Sequence, residues 1–246
     1  MELSTAALLL TGRSGPVAPP LDLAVGSGEV VVAGIGSAVA RTATGLALTG
    51  QLQSWSGRVS LDGAPVSSAR GRAGLRARSA LVDPADPADA VGGLPVAAVV
   101  SEQLAAAGVR APGGTGAWLA GPELAGPELA GRARDRLGDL PAAARTWLLT
   151  ALGLARPHVG LVVLDSPDRH DGSSDWLDGC VAAAVGGAAV LVLCAVPTAA
   201  SLRAARPPGV RLLDTDPSSP ATGTTTTPGG RHEGAAHRLD RGPPAG

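Results

Sequence analysis

Short runs of β-branched and leucine residues alternate with alanine-rich segments along the chain, and that alternation sets the expected elements. Residues 5–10 (Thr-Ala-Ala-Leu-Leu-Leu) and 21–25 (Leu-Asp-Leu-Ala-Val) predict two short strands flanking a Gly/Pro turn. A strand over 29–34 stops at a Gly-rich turn, and a helix follows from about Ala40 to Leu52. Residues 57–63 predict a strand ending in an Asp-Gly turn, and 79–82 a strand broken by Asp83-Pro84. Helical patterns lie near Val96–Ala107 and from Pro141 to about Leu154. Gly160–Asp165 is a continuous apolar run ending in Asp, as in a strand buried on both faces. A further helix and strands at Ala189–Cys194 and Val210–Leu213 complete the pattern.

Strands alternating with helices imply an α/β fold with a largely parallel central sheet. Ligands of such sheets sit beyond the carboxyl ends of the strands, which puts the 34–42 loop and Asp165 on one edge. Residues 83–135 differ in texture, being rich in Pro, Ala and Gly, and the tandem repeat at 121–130 reads as low-complexity linker. From Pro217 the Pro/Thr/Gly-rich tail carries too little apolar surface to fold. Gly179–Leu202 is uncharged and long enough to span a bilayer, but Gly186-Gly187 and Pro197 divide it. Helix, turn and buried strand is the expected reading, in a soluble protein.

Composition narrows the chemistry. All twenty basic residues are Arg, and there is no Phe, Tyr or Asn. Lysine-dependent mechanisms are therefore excluded, and aromatic stacking is left to four Trp. A net charge of −1 gives no electrostatic case for nucleic acid. Cys180 and Cys194 lack metal-site spacing and read as small buried hydrophobes in a reducing compartment, and the N-terminus lacks the basic start of a signal peptide. The Arg70–Arg78 stretch reads as a solvated helix face, His170 as a solvated loop histidine, and His158, His232 and His237 as incidental.

The strand–loop–helix unit at Gly28–Thr44 is the usual setting for a phosphate site, because a helix N-terminus offers free N–H groups. Gly34-Ile-Gly36-Ser-Ala-Val39 partly matches the Gly-x-Gly-x-x-Gly/Ala turn of dinucleotide-binding domains. Val39 at the last motif position, and the lack of an acidic residue about twenty positions on, weigh against that reading.

A second set of motifs is more specific through its order and spacing. Gly28-Glu-Val-Val31, Ser56-Gly-Arg-Val-Ser-Leu-Asp-Gly63, Leu140-Pro-Ala-Ala-Ala-Arg145 and Leu161-Val-Val-Leu-Asp165-Ser-Pro167 follow one another as do the motifs of the ATP-binding cassette of ABC transporters. The chain resembles that family over roughly residues 1–216. The resemblance implies a P-loop NTPase-like three-layer fold: a mainly parallel central sheet, an antiparallel N-terminal β-subdomain and an inserted helical subdomain at about 84–145. Residues 217–246 would be a disordered tail. It implies ATP and Mg²⁺ as cofactors, held at the phosphates by Gly36, Ser37, Ala40, Arg41 and Thr42, with Thr42 and Asp165 serving the metal. It also implies a multi-span membrane permease or another cassette subunit as partner, a homo- or heterodimer, and a cytoplasmic place at the inner face of the cell membrane.

The departures fall on the residues that carry the family's chemistry. Where the family's loop reads Gly-x-x-x-x-Gly-Lys-Ser/Thr, this chain has Ile35, Ala40 and Arg41 at the glycine and lysine positions. Ser166 stands at the catalytic Glu, Ala195 at the switch His, and Pro141, Ala142 and Ala143 at the signature Ser-Gly-Gly. The Q-loop glutamine falls near Asp83-Pro84, and Asp171 and His170 lie in the D-loop region. The expected function is a degenerate cassette with weak or no ATP binding and no hydrolysis, the alternatives being a functioning ABC ATPase and a dinucleotide-binding domain.

Overall fold

The computed structural model describes residues 1–53, 55–85, 90–121, 129, 131–170 and 174–214. The 217–246 tail, most of the 121–130 repeat, Asp171, His232 and His237 lie outside the described residues. The first strand, β1 (Glu2–Gly12), buries Leu3 and Thr5 and then Leu8 and Leu10, so its inward phase shifts by one residue midway. A bulge absorbs the shift: the register breaks between Ala6 and Leu9, and Ala7 takes a left-handed φ of 49°. Opposite it, Gly57 passes so close that a Cβ there would overlap the Ala7 carbonyl oxygen.

β1 pairs antiparallel with β2 (Gly15–Pro16), β3 (Leu21–Gly26) and β5 (Trp55–Leu61), and β5 in turn pairs with β6 (Ala64–Pro65). The β5–β6 turn is the Asp62-Gly63 pair, both at positive φ, the conformation that a two-residue hairpin demands.

A second sheet holds β4 (Val30–Gly34), β7 (Ser79–Val82), β8 (Leu161–Asp165), β9 (Ala189–Cys194) and β10 (Val210–Leu212). Its order is β10-β4-β9-β8-β7, and every pairing is parallel. Side chains alternate across it. Val31, Ala33, Val163 and Leu191 face the antiparallel sheet and α1 (Ala38–Leu48), while Val30, Val32, Val162 and Val190 face α6 (Trp176–Val185) and α7 (Val196–Ala205). Both faces are covered, which is why these strands read as unbroken apolar runs. Gly45 lets α1 lie close on the sheet, since a Cβ there would meet Leu81 at 2.7 Å. The dinucleotide-binding reading fails on this topology. Such domains pair the two strands that flank their first helix. Here the next strand of the sheet after β4 is β7, at the far edge, with β9 and β8 between them.

The remaining helices are α2 (Ala69–Arg78), α3 (Val96–Ala106), α4 (Gly114–Leu119) and α5 (Ala142–Ala155). α3, α4 and α5 share a third core around Val100, Leu104, Leu119 and Leu148. The Gly179–Leu202 stretch divides into parts of α6, β9 and α7, and no described helix is long and apolar enough to cross a membrane. Both cysteines are buried and free, and burial pushes each thiol up to about 12. α1 starts two residues before the expected Ala40 and stops at Leu48. Ser37 sets the start by accepting the Ala40 N–H on its side chain, and Gly50 at φ 72° sets the stop.

Candidate functional site

Backbone bonds continue the parallel ladder past its carboxyl edge. The Ile35 N–H donates to the Cys194 carbonyl at 2.9 Å, and the Ser166 N–H to the Leu193 carbonyl at 2.7 Å. The loops after β4 and β8 are thereby held side by side around the end of β9.

Asp165 sits between them with no exposure to solvent. The Thr42 hydroxyl donates to Oδ2 at 2.5 Å, and the Ala85 N–H to the same oxygen at 3.1 Å. The Ser166 hydroxyl donates to Oδ1 at 2.8 Å. These three donors replace the water that the carboxyl gives up on burial. Ser166 in turn accepts from Arg41 Nε at 2.6 Å, and Arg41 Nη1 donates to the Ile35 carbonyl at 2.8 Å. Arg41, Ser166, Asp165 and Thr42 thus form one continuous chain of bonds, closed back onto the loop by Ile35. Ser166 holds a left-handed backbone (φ 55°, ψ 52°), which costs a non-glycine residue about 1–2 kcal/mol.

Gly36 and Ser37 are exposed at the loop tip, and Ala40 packs into the core behind them. Ala195 opens α7 and reaches the site only through its backbone: its N–H donates to Asp168 Oδ2 at 3.0 Å, as does the Thr198 hydroxyl at 2.6 Å. Asp168 therefore caps α7 from the turn that follows Ser166. Pro141, Ala142 and Ala143 open α5. Beside the loop, a cleft of about 600 Å³ is lined by Gly34, Ile35 and Gly36 together with apolar residues such as Leu8, Leu10 and Leu21.

A second cluster, which the sequence did not reveal, adjoins the first. Asp83 receives Arg145 through two bonds (2.8 and 3.1 Å), Arg169 at 2.9 Å and His170 Nε2 at 2.7 Å. Burial alone would raise the Asp83 carboxyl, but the bonds from His170 and Arg145 and the charges of Arg169 and Arg145 outweigh it and hold it well below the usual carboxylate range. His170 lies at the exposed loop position expected, but its side chain is only 22% exposed and meets Asp83. Arg169 joins the two clusters, because its Nη1 also donates to the Asp165 carbonyl at 2.6 Å and the Asp83 carbonyl at 2.7 Å. The signal in the sequence was Arg145, the only charged residue of α5. A buried guanidinium needs a carboxylate. The Arg70–Arg78 face is likewise more engaged than expected, with Arg76 donating to the Gly50 carbonyl and Arg78 paired to Asp62 at 2.7 Å.

No protein-family model matches the chain, and no curated protein matches its sequence. Solved structures do. A structure described as the ATP-binding subunit of an ABC transporter matches at 16% identity and a TM-score of 0.60, covering 87% of both chains. The cbiO1 protein of Clostridium perfringens, described as part of the ABC transporter complex cbiONQ, matches at 17% identity and a TM-score of 0.51, over 78% of this chain and 77% of that one. A putative ABC transporter ATP-binding protein from Pyrococcus furiosus matches at 15% identity and a TM-score of 0.55, over 79% and 92%. The chain has the fold of an ABC transporter ATP-binding subunit, a P-loop NTPase-like mixed α/β fold.

Proposed function

We propose that this chain is a degenerate ABC transporter ATP-binding subunit, which binds Mg²⁺–ATP weakly or not at all, does not hydrolyse it, and serves as a structural or regulatory partner. The observation that carries the reading is the chain of bonds from Arg41 through Ser166 and Asp165 to Thr42. The residues at the lysine, glutamate, aspartate and threonine positions of the family's site are spent on one another.

The group that the fold implies does not fit these residues as arranged. The Thr42 hydroxyl donates its hydrogen to Asp165 Oδ2 instead of offering a free lone-pair site beside it. Only three residues, 35–37, separate β4 from α1, and the first turn of α1 spends the Ala40 N–H on Ser37. Arg41 turns back onto the Ile35 carbonyl. Ser166 lacks the basicity to activate water, and loss of a general base alone typically costs about two to four orders of magnitude in rate.

The partner follows from the same reading. The cbiO1 protein is described as part of a transporter complex, and a subunit of this fold without turnover would act by occupying a place beside a membrane permease or an active cassette.

Steady ATP turnover and Mg²⁺–ATP calorimetry on the purified chain test the proposal. The expected result is no turnover above a protein-free blank, with Asp165→Asn leaving that rate unchanged. Turnover that Asp165→Asn abolishes would overturn it and establish a functioning ATPase.

A further inference from the structure

α2 is a helix that its own sequence supports poorly. Leu75 is its one buried residue, and Gly71 and Gly74 both weaken it. Arg70 and Arg72 stand in its first turn, where no acid accompanies them and the positive end of the helix dipole repels a cation. The Ser68 cap, which accepts the Gly71 N–H at 3.0 Å, has to offset that repulsion. Local preference is broken here in favour of positive charge, a mark of residues kept for something other than the helix.

The fold does not balance the charge so gathered. Arg72 donates to the Ser67 carbonyl at 3.0 Å and Arg76 to the Gly50 carbonyl at 2.8 Å. Arg156, just after α5, reaches across to the Arg76 and Ser79 carbonyls at 3.3 and 3.4 Å. Neutral carbonyls thus hold three guanidinium groups in place and leave their charge unmatched. Among the described residues, Asp62 on Arg78 is the one carboxylate that meets an arginine of this surface. Elsewhere Arg132, Arg145, Arg169, Arg203 and Arg211 each pair with an acid. In a chain of net charge −1 the surplus on α2 is therefore local.

We propose that α2 and Arg156 form a docking surface for an acidic segment of a partner protein. Guanidinium groups meet carboxylates through paired N–H donors, and those on this surface are already oriented by the carbonyls behind them. Ala69, Ala73, Gly74 and Ala77 are exposed between the arginines, so a second backbone can come close to the helix. A lipid surface lacks an anchor here, because the exposed large apolar side chains, such as Val39 and Val185, all lie outside α2 and charge alone gives no stable attachment. Nucleic acid fits no better. A helix of 10 residues is about 15 Å long and spans few phosphates, and the net charge gives the rest of the chain no pull on more. The surface adjoins Ser79, at the start of β7, whereas Asp165 ends β8 at the opposite edge of the sheet. It stands whether or not the Asp165 cluster takes nucleotide.

Fluorescence anisotropy of dye-labelled poly-L-glutamate, titrated with the full-length chain, tests the assignment. Binding should be saturable at low ionic strength and weaken severalfold by about 0.15 M salt. Arg70 makes no hydrogen bond among the described residues, so Arg70→Gln should leave the fold intact and raise the Kd about threefold. Arg76→Gln combined with Arg156→Gln should raise it about tenfold, in a protein that thermal melts show to be folded. Arg110→Gln removes the same charge from the loop after α3 and should leave the Kd unchanged. Absence of saturable binding, an equal loss in Arg110→Gln, or tighter binding to oligothymidylate or to phosphatidylglycerol vesicles than to poly-L-glutamate would overturn the proposal.

Discussion

Asp165 and Asp83 are shielded carboxylates on the same edge of one sheet, yet their partners differ in kind. Asp165 is held by two hydroxyls and a backbone N–H, so the cationic Arg41 reaches it only through Ser166. Asp83 is held directly by two guanidinium groups and an imidazole. The first arrangement spreads one charge over neutral dipoles. The second matches charge with charge and seats the Arg145 guanidinium, itself 2% exposed, directly on a carboxylate. Asp83 is therefore the more costly of the two to lose.

Isosteric substitution breaks the comparison most sharply. Asp83→Asn should lower unfolding free energy by about 3 kcal/mol at neutral pH, because it removes a carboxylate charge held against the buried Arg145 guanidinium. Urea denaturation reads this directly, and a loss below that of Asp165→Asn would reverse the ranking. Acid sharpens the same contrast. The folded Asp83 carboxyl titrates below its unfolded value, so its stabilising contribution is complete above about pH 4 and drains away as pH falls toward the folded value. The gap between wild type and Asp83→Asn should accordingly narrow below about pH 4.

Asp165→Asn should cost less, about 1–2 kcal/mol, since an amide keeps one acceptor and loses only part of a neutral network. Smaller still is Ser166→Gly. Relief of the left-handed backbone offsets the lost hydroxyl bonds, and the net change in thermal stability should stay within about 1 kcal/mol. A large loss would mean that Ser166 does more to seat Arg41 than its two bonds suggest.

What could be read in advance tracks how local the cause is. β4, β8 and β9 were legible because a strand covered on both faces must be apolar throughout, which needs no knowledge of its neighbours. The Asp62-Gly63 hairpin was legible because the turn demands positive φ at both positions. The start of α1 was misjudged by two residues because Ser37 looked like loop, whereas its hydroxyl caps the helix. α4 was missed, lying in a Gly-rich stretch whose packing against α3 decides its conformation. The Arg41-to-Thr42 chain was half legible: the motif order placed its members together, but not their bonding to one another. The Asp83 cluster was least legible, since its partners come from segments 62 to 87 residues away. Only the lone arginine of α5 hinted at it.

The order of β4 within its sheet carries a consequence for how the protein is made. β4 leaves the ribosome as an unbroken Val-Val-Val-Ala-Gly run, and both of its hydrogen-bonding edges are reserved for β9 and β10, which are synthesised long after it. Until those emerge, its backbone has no permanent neighbour, and an apolar strand with two open edges is a template for misassembly between nascent chains. Its pairings also close very long loops, which makes the sheet slow to complete. The antiparallel sheet, by contrast, has β1, β3 and β5 in hand within the first 61 residues. Folding of this chain is thus expected to begin with the antiparallel layer as a lid over one side of β4 and to finish only after β9 and β10 have emerged.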